Sequence, residues 1–274
     1  MADSAVGEAR TALFARYSLA GALFAALGAL AVALPAGLAA AGMDRLAALR
    51  SMFALYGGAG FLVWWIYRGM PDPPVHEMQT PPQPLGISHP TVIHLAALFS
   101  VDAFAGGLVV HSLLALWLFL RFDLSLATAG QFFFWAGLAT AFSQLAAPWV
   151  AGKTGLPNTM VFTHLPSSVF LILAAFASNL PVALGLLLLR AALSQMDVPT
   201  RSAFVMAVVT PPERAAAAGF TAVPRSLAAA VSPSLGGALF AAGWLAAPLV
   251  TCGLLKIGYD LAILFAFRRH RQDK

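Results

Sequence analysis

Cysteine occurs once in these 274 residues, and only 10% of the chain is charged. The lone thiol, Cys252, excludes an internal disulfide and leaves no thiolate set for a metal; it reads as a small buried apolar residue. So little charge beside 60% hydrophobic residues excludes an ordinary soluble domain. A phosphate-binding loop is missing too. Gly152-Lys153-Thr154 would need a glycine five positions ahead of Gly152, and Ala147 stands there, so nothing indicates an ATP-driven pump. The start, with Asp3 and Glu8 before its apolar run, lacks the basic stretch of a secretory signal and is expected to stay attached. No surface interleaves basic and aromatic residues, so the net charge of +5 is no argument for nucleic acid. The six histidines (His76, His89, His94, His111, His164 and His270) lack metal-ligand spacing. Neither a metal nor a cofactor is expected.

What the chain has instead is apolar runs of about 20 to 30 residues, the length at which a helix satisfies its own backbone across a bilayer. They predict an all-α integral membrane protein with about eight transmembrane helices. The spans fall near residues 7–41, 46–67, 91–120, 126–150, 156–178, 180–209, 213–242 and 244–267, with a proline-rich linker at 70–90. Counting Lys and Arg at alternate span ends sets the orientation. One side holds Arg10, Arg68, Lys153, Arg201, Arg214, Arg268, Arg269, Arg271 and Lys274; the other holds Arg45, Arg50 and Arg121. The linker and both termini are therefore expected in the cytoplasm, with the protein in the plasma membrane, the inner membrane of a bacterial cell.

Four basic residues stay inside spans: Arg16, Arg190, Arg225 and Lys256. Asp197 and Arg201, in Gln195-Met196-Asp197-Val198-Pro199-Thr200-Arg201, are four apart and share a helix face. A charge at bilayer depth costs about 2.5–3.5 kcal/mol on insertion scales, so such groups face a partner, a cavity or water.

The stretch from Arg190 to Arg201, then Pro211-Pro212-Glu213-Arg214 running to Gly219, Val223-Pro224-Arg225-Ser226 and Ser232-Pro233-Ser234-Leu235-Gly236-Gly237, resembles the last helices of a major facilitator superfamily transporter. That resemblance implies two helical halves joined by a long cytoplasmic loop. Residues 1–69 then correspond to a two-helix remnant of the N-terminal half, 70–90 to the loop, and 91–274 to a complete six-helix C-terminal half. The chain matches helices five to twelve, and the first four are absent.

Secondary active transport of a small solute by alternating access, as proton-coupled efflux, is the implied function, without enzymatic activity. The partners are the solute, protons, the lipid bilayer, and either the missing helices or an oligomer to complete the pathway. A membrane enzyme would need His, Asp or Ser groups clustered at one depth, and the sequence displays none. A non-transporting remnant or assembly subunit is the alternative.

A helical rise of about 1.5 Å per residue puts Asp102, Arg190, Arg225 and Lys256 each about 15–18 Å into its span, in one layer near the midplane where transporter sites lie. Asp102 is the candidate for proton coupling, and Arg190 and Arg225 for solute or ion-pair contacts; the bland alternative is a mutual ion pair that locks the bundle. Asp197 and Arg201, beside the helix-weakening Pro199, are expected to form a hinge or gate, or else a plain pair at the helix end. Lys256 and Asp260 repeat that spacing and are assigned a structural role. His164 is either a proton carrier or a helix–helix hydrogen bond.

Overall fold

The structure is a computed structural model and describes residues 8–69 and 83–267. The linker residues 70–82, His76, His270 and the basic tail of Arg268, Arg269, Arg271 and Lys274 lie outside the described residues. Every regular element among the described residues is helical: α1 (Glu8–Leu30), α2 (Leu34–Ala40), α3 (Arg45–Arg68), α4 (His89–Gly107), α5 (His111–Phe122), α6 (Leu126–Thr154), α7 (Leu156–Ala175), α8 (Leu180–Ser194), α9 (Asp197–Val208), α10 (Arg214–Ala241) and α11 (Ala247–Phe267). Among the described residues, five helical stretches are long and apolar enough to cross a membrane: Leu19–Ala40, Arg45–Arg68, His89–Phe122, Asn158–Ala175 and Ala247–Ala266.

Side chains that accept backbone N–H groups fix several starts. Asp44 caps α3 through the amides of Leu46 and Ala47, Ser125 caps α6 through that of Thr128, and Asn179 caps α8 through that of Val182. Three runs expected to be single spans are each two helices: in 7–41 the tighter turn Ala31–Ala33 joins α1 to α2 without a gap, and the other two are interrupted. The 91–120 run breaks at Leu108–Val110, where Val110 is extended, and the 180–209 run breaks at Gln195–Met196. Pro199 accounts for the second break. It has no N–H to give the carbonyl of Gln195, whereas in the first turn of α9 that lack costs nothing. By contrast α10 is continuous through both Pro224 and Pro233, so those prolines do not interrupt it.

Small residues let the helices meet. A Cβ on Gly137 would lie 2.7 Å from that of Ala26, which brings α1 onto α6; one on Gly236 would lie 2.7 Å from the carbonyl oxygen of Leu108, which brings α10 onto the end of α4. Gly107 meets Ser232 on the same seam, and Gly253 of α11 meets Ile172 of α7. Not every small pair acts this way: Gly21, Gly57, Gly60 and Gly237 face open space. Helix α3 packs on α2 and buries only Ala48, leaving Phe53, Tyr56, Trp64 and Trp65 exposed.

Two apolar clusters form the interior. One gathers Leu118, Leu171, Leu187 and Cys252 around Trp117; the other gathers Leu95, Phe99, Met160, Phe204, Tyr259 and Ile263. Cys252 is a free, buried thiol, in keeping with its reading as a packing residue.

At the linker end, Gly86, Ile87 and Ser88 donate their backbone N–H groups to the Glu213 carboxylate at 3.2, 3.1 and 3.0 Å. This anion sits at the start of α4, where the helix leaves donors unpaired. The segment before α4 is thereby docked on the turn before α10, reinforced by the Gln83 N–H to the Pro212 carbonyl at 2.9 Å. A hydrogen bond from the Ser88 side chain, and then the backbone donors, hold the Glu213 carboxyl below its ordinary range. The folded-state value is depressed, so its stabilisation is present above the unfolded value of 4.5 and is lost as pH falls through the folded one. In a melting series from neutral pH down to pH ~3, the wild-type protein is expected to lose more stability than Glu213→Gln. Parallel curves would show that this carboxylate does not tie the segment down.

Candidate functional site

Between the two apolar clusters lies a layer of charge. On α4 Asp102 falls between Phe99 of one cluster and Ala105 of the other; on α11 Lys256 falls between Tyr259 and Cys252; on α7 His164 falls between Val161 and Leu171. Each helix thus carries one polar interruption at the same level, and these interruptions meet.

Asp102 is the hub. Lys256 Nζ donates to its Oδ1 at 2.6 Å and Arg201 Nη1 to its Oδ2 at 2.9 Å. Arg201 also pairs with Asp197 Oδ2 at 3.4 Å, and its guanidinium lies over the Phe99 ring, 5.6 Å from the centroid. Lys256 Nζ reaches His164 Nε2 at 3.2 Å, and His164 Nδ1 lies 2.9 and 3.1 Å from the two oxygens of Asp260. Asp102, Asp197, His164 and Asp260 are buried, and Arg201 and Lys256 half-buried. The chain Asp197–Arg201–Asp102–Lys256–His164–Asp260 joins four helices, α4, α7, α9 and α11.

Hydrogen-bond logic assigns the histidine. An ammonium only donates, so Nε2 accepts from Lys256 and the neutral ring carries its proton on Nδ1, given to Asp260. In that state three carboxylates face two cations, and the network has a residual charge of one negative unit. A single proton, taken by the His164–Asp260 pair as a unit, brings it to neutrality. If the imidazole holds it, Nε2–H opposes the Lys256 ammonium and that contact must open. A proton on the imidazole is therefore incompatible with the present Lys256–His164 contact.

The network borders a cavity of about 390 Å³ whose wall also includes Gly106, Gly107 and Val110 from the first helix break and Ser194, Gln195 and Val198 from the second. Arg225 of α10 stands exposed on the same wall and, among the described residues, has no hydrogen bond or ion pair. Arg190 lies elsewhere. It lines a second cavity of about 590 Å³ between α1, α5, α6 and α8.

Of the four charges expected in one layer, Asp102 and Lys256 meet, whereas neither Arg190 nor Arg225 pairs with Asp102. Asp197 and Arg201 do form the spaced pair, but Arg201 is not confined to a helix end, since it grips Asp102. Lys256 and Asp260 do not pair directly; His164 stands between them. No metal-binding group of three His, Cys, Asp or Glu side chains occurs among the described residues. Tyr259 went unnoticed in the sequence: its ring meets His164 edge-on at 6.1 Å, and its buried hydroxyl has no partner among the described residues. The face of α11 that carries Lys256, Tyr259, Asp260 and Ile263 at helical spacing was the available signal.

No protein-family model, curated protein or solved structure matches the chain.

Proposed function

We propose that the chain is a secondary active transporter of a small solute, of the major facilitator type, working by alternating access as proton-coupled efflux and not as an enzyme. The observation that carries this reading is the buried network around Asp102, which can take one proton and borders a cavity flanked by two broken helices. Discontinuous helices with a charged site at mid-depth are the arrangement by which transporters expose backbone groups to a solute and move one bundle against another. Asp102 is the coupling hub, His164 with Asp260 the proton acceptor, Asp197 and Arg201 the gate at the second break, and Arg225 the unpaired cation left to meet a solute.

On this reading the membrane is crossed about eight times, by α1–α2, α3, α4–α5, α6, α7, α8–α9, α10 and α11, in the plasma membrane with linker and termini cytoplasmic. Reporter fusions test it. Gln79 and the C-terminal tail should report cytoplasmic and Asp123 external; a linker and tail on opposite faces would break the even helix number between them and end the reading.

One observation favours a second reading, a non-transporting subunit that acts within an assembly. Among the described residues helix α3 packs chiefly on α2, and just 6% of its apolar window is buried, so its aromatic faces are available to partner helices as well as to lipid. Uptake and efflux against a solute panel in proteoliposomes decide between the two: gradient-driven flux by the purified chain supports transport, and none at any pH gradient supports the subunit.

A further inference from the structure

The second cavity has a chemistry of its own. Its walls are mostly Ala, Gly, Leu and Phe, with a volume of about 590 Å³, inside the range of drug-sized ligand sites. Arg190 projects into this apolar space as a permanent cation. Among the described residues it has no hydrogen bond and no ion pair, and the cavity wall contains no Asp or Glu to serve as one. A second polar group is left open there: Gln144 is 5% exposed, lines the same cavity, and its Oε1 lacks any hydrogen-bond partner among the described residues. His111 and Thr140 complete the polar rim, and the Phe132 and Phe133 rings form part of the apolar wall.

An unpaired guanidinium at bilayer depth is costly, and a buried amide oxygen without a donor costs about 1–3 kcal/mol. Both costs vanish if the cavity holds a molecule that presents an anion to Arg190, a donor to Gln144 and apolar bulk to the phenylalanines. The geometry points to a binding site for an amphipathic organic anion, a single carboxylate or phosphate on an apolar body, with Arg190 as the anion anchor. Ser194 and Gln195 border both cavities, so the helix break between α8 and α9 is the partition between this site and the Asp102 network. The inference stands apart from the transport reading, because binding is read at equilibrium with no gradient.

The test uses the purified chain in phosphatidylcholine nanodiscs, with radiolabelled decanoate and 1-decanol as probes and empty discs to subtract partitioning. Decanoate is expected to bind at least about tenfold more tightly than decanol, the worth of one charge-assisted hydrogen bond. Arg190→Gln should remove that preference and leave decanol binding as it was, while Ala115→Trp, which fills the cavity, should abolish binding of both. Equal binding of decanoate and decanol by the wild-type protein overturns the proposal without recourse to any variant. So does decanoate binding unchanged in a folded Ala115→Trp protein. Discs containing phosphatidylglycerol separate the two sources of the anion: decanoate binding retained there assigns the site to a free amphiphile, and binding competed away assigns it to a lipid headgroup, the anion chemistry holding in both.

Discussion

Asp102→Asn is expected to abolish proton-coupled flux while the protein still inserts, and to lower its stability at the same time. The two effects have one cause. Asp102 is the shared acceptor of Lys256 and Arg201, and the substitution leaves two half-buried cations facing a neutral amide. Removing one member of a buried ion pair costs about 3–5 kcal/mol, because the remaining charge stays desolvated. Loss of flux alone could therefore be loss of fold, and a second substitution separates them. Asp102→Asn combined with Lys256→Gln removes one of the stranded cations, so it should recover a large part of the melting temperature and none of the coupled flux. Coupled flux at the wild-type rate in either protein would remove Asp102 from the mechanism. A double variant no more stable than the single one would show that Lys256 does not depend on Asp102.

The helical class was legible in the sequence; which charges meet was not. Depth is counted along one helix, and Asp102 and Lys256, counted into one layer, do meet. Pairing depends on how each helix is rotated about its axis, and in a chain this rich in Ala and Leu the apolar pattern goes all round and gives little sense of facing. Arg190 and Arg225 illustrate the limit. Counted to the same depth as Asp102, they line different cavities, while Arg201, which counting put nearer the helix end, is the arginine that pairs with it. The sequence did flag the weak point at Pro199. It could not tell that the 91–120 run would also break, since Leu108-Val109-Val110 contains no proline; that break coincides with the close approaches of Gly107 to Ser232 and of Gly236 to Leu108 between α4 and α10, which are tertiary contacts. The partners of His164 were hidden for the same reason, as its side-chain hydrogen bonds go to Lys256 and Asp260 of α11.

His164→Gln is expected to separate proton movement from solute movement. Within the network His164 and Asp260 are the two side chains that can gain a proton without cancelling an existing ion pair. Glutamine can still donate its amide N–H to Asp260 and offer its oxygen to Lys256, so the contacts that hold Asp102 in place survive with little loss of stability. What disappears is the imidazole, the basic group that stands between Lys256 and Asp260. Two measurements follow. In an acid jump on the purified protein, the wild type should take up one proton that the variant does not, matching the one negative unit left over in the network. In proteoliposomes, the solute that the panel identifies should still exchange across the membrane at equal pH, while an imposed pH gradient should no longer drive its accumulation. If the variant responds to the gradient as the wild type does, Asp260 carries the proton by itself, and His164 serves only to hold α7 against α11. If exchange is lost along with accumulation, the imidazole is needed for the movement itself, and the opening of the Lys256 contact on protonation is the step to pursue.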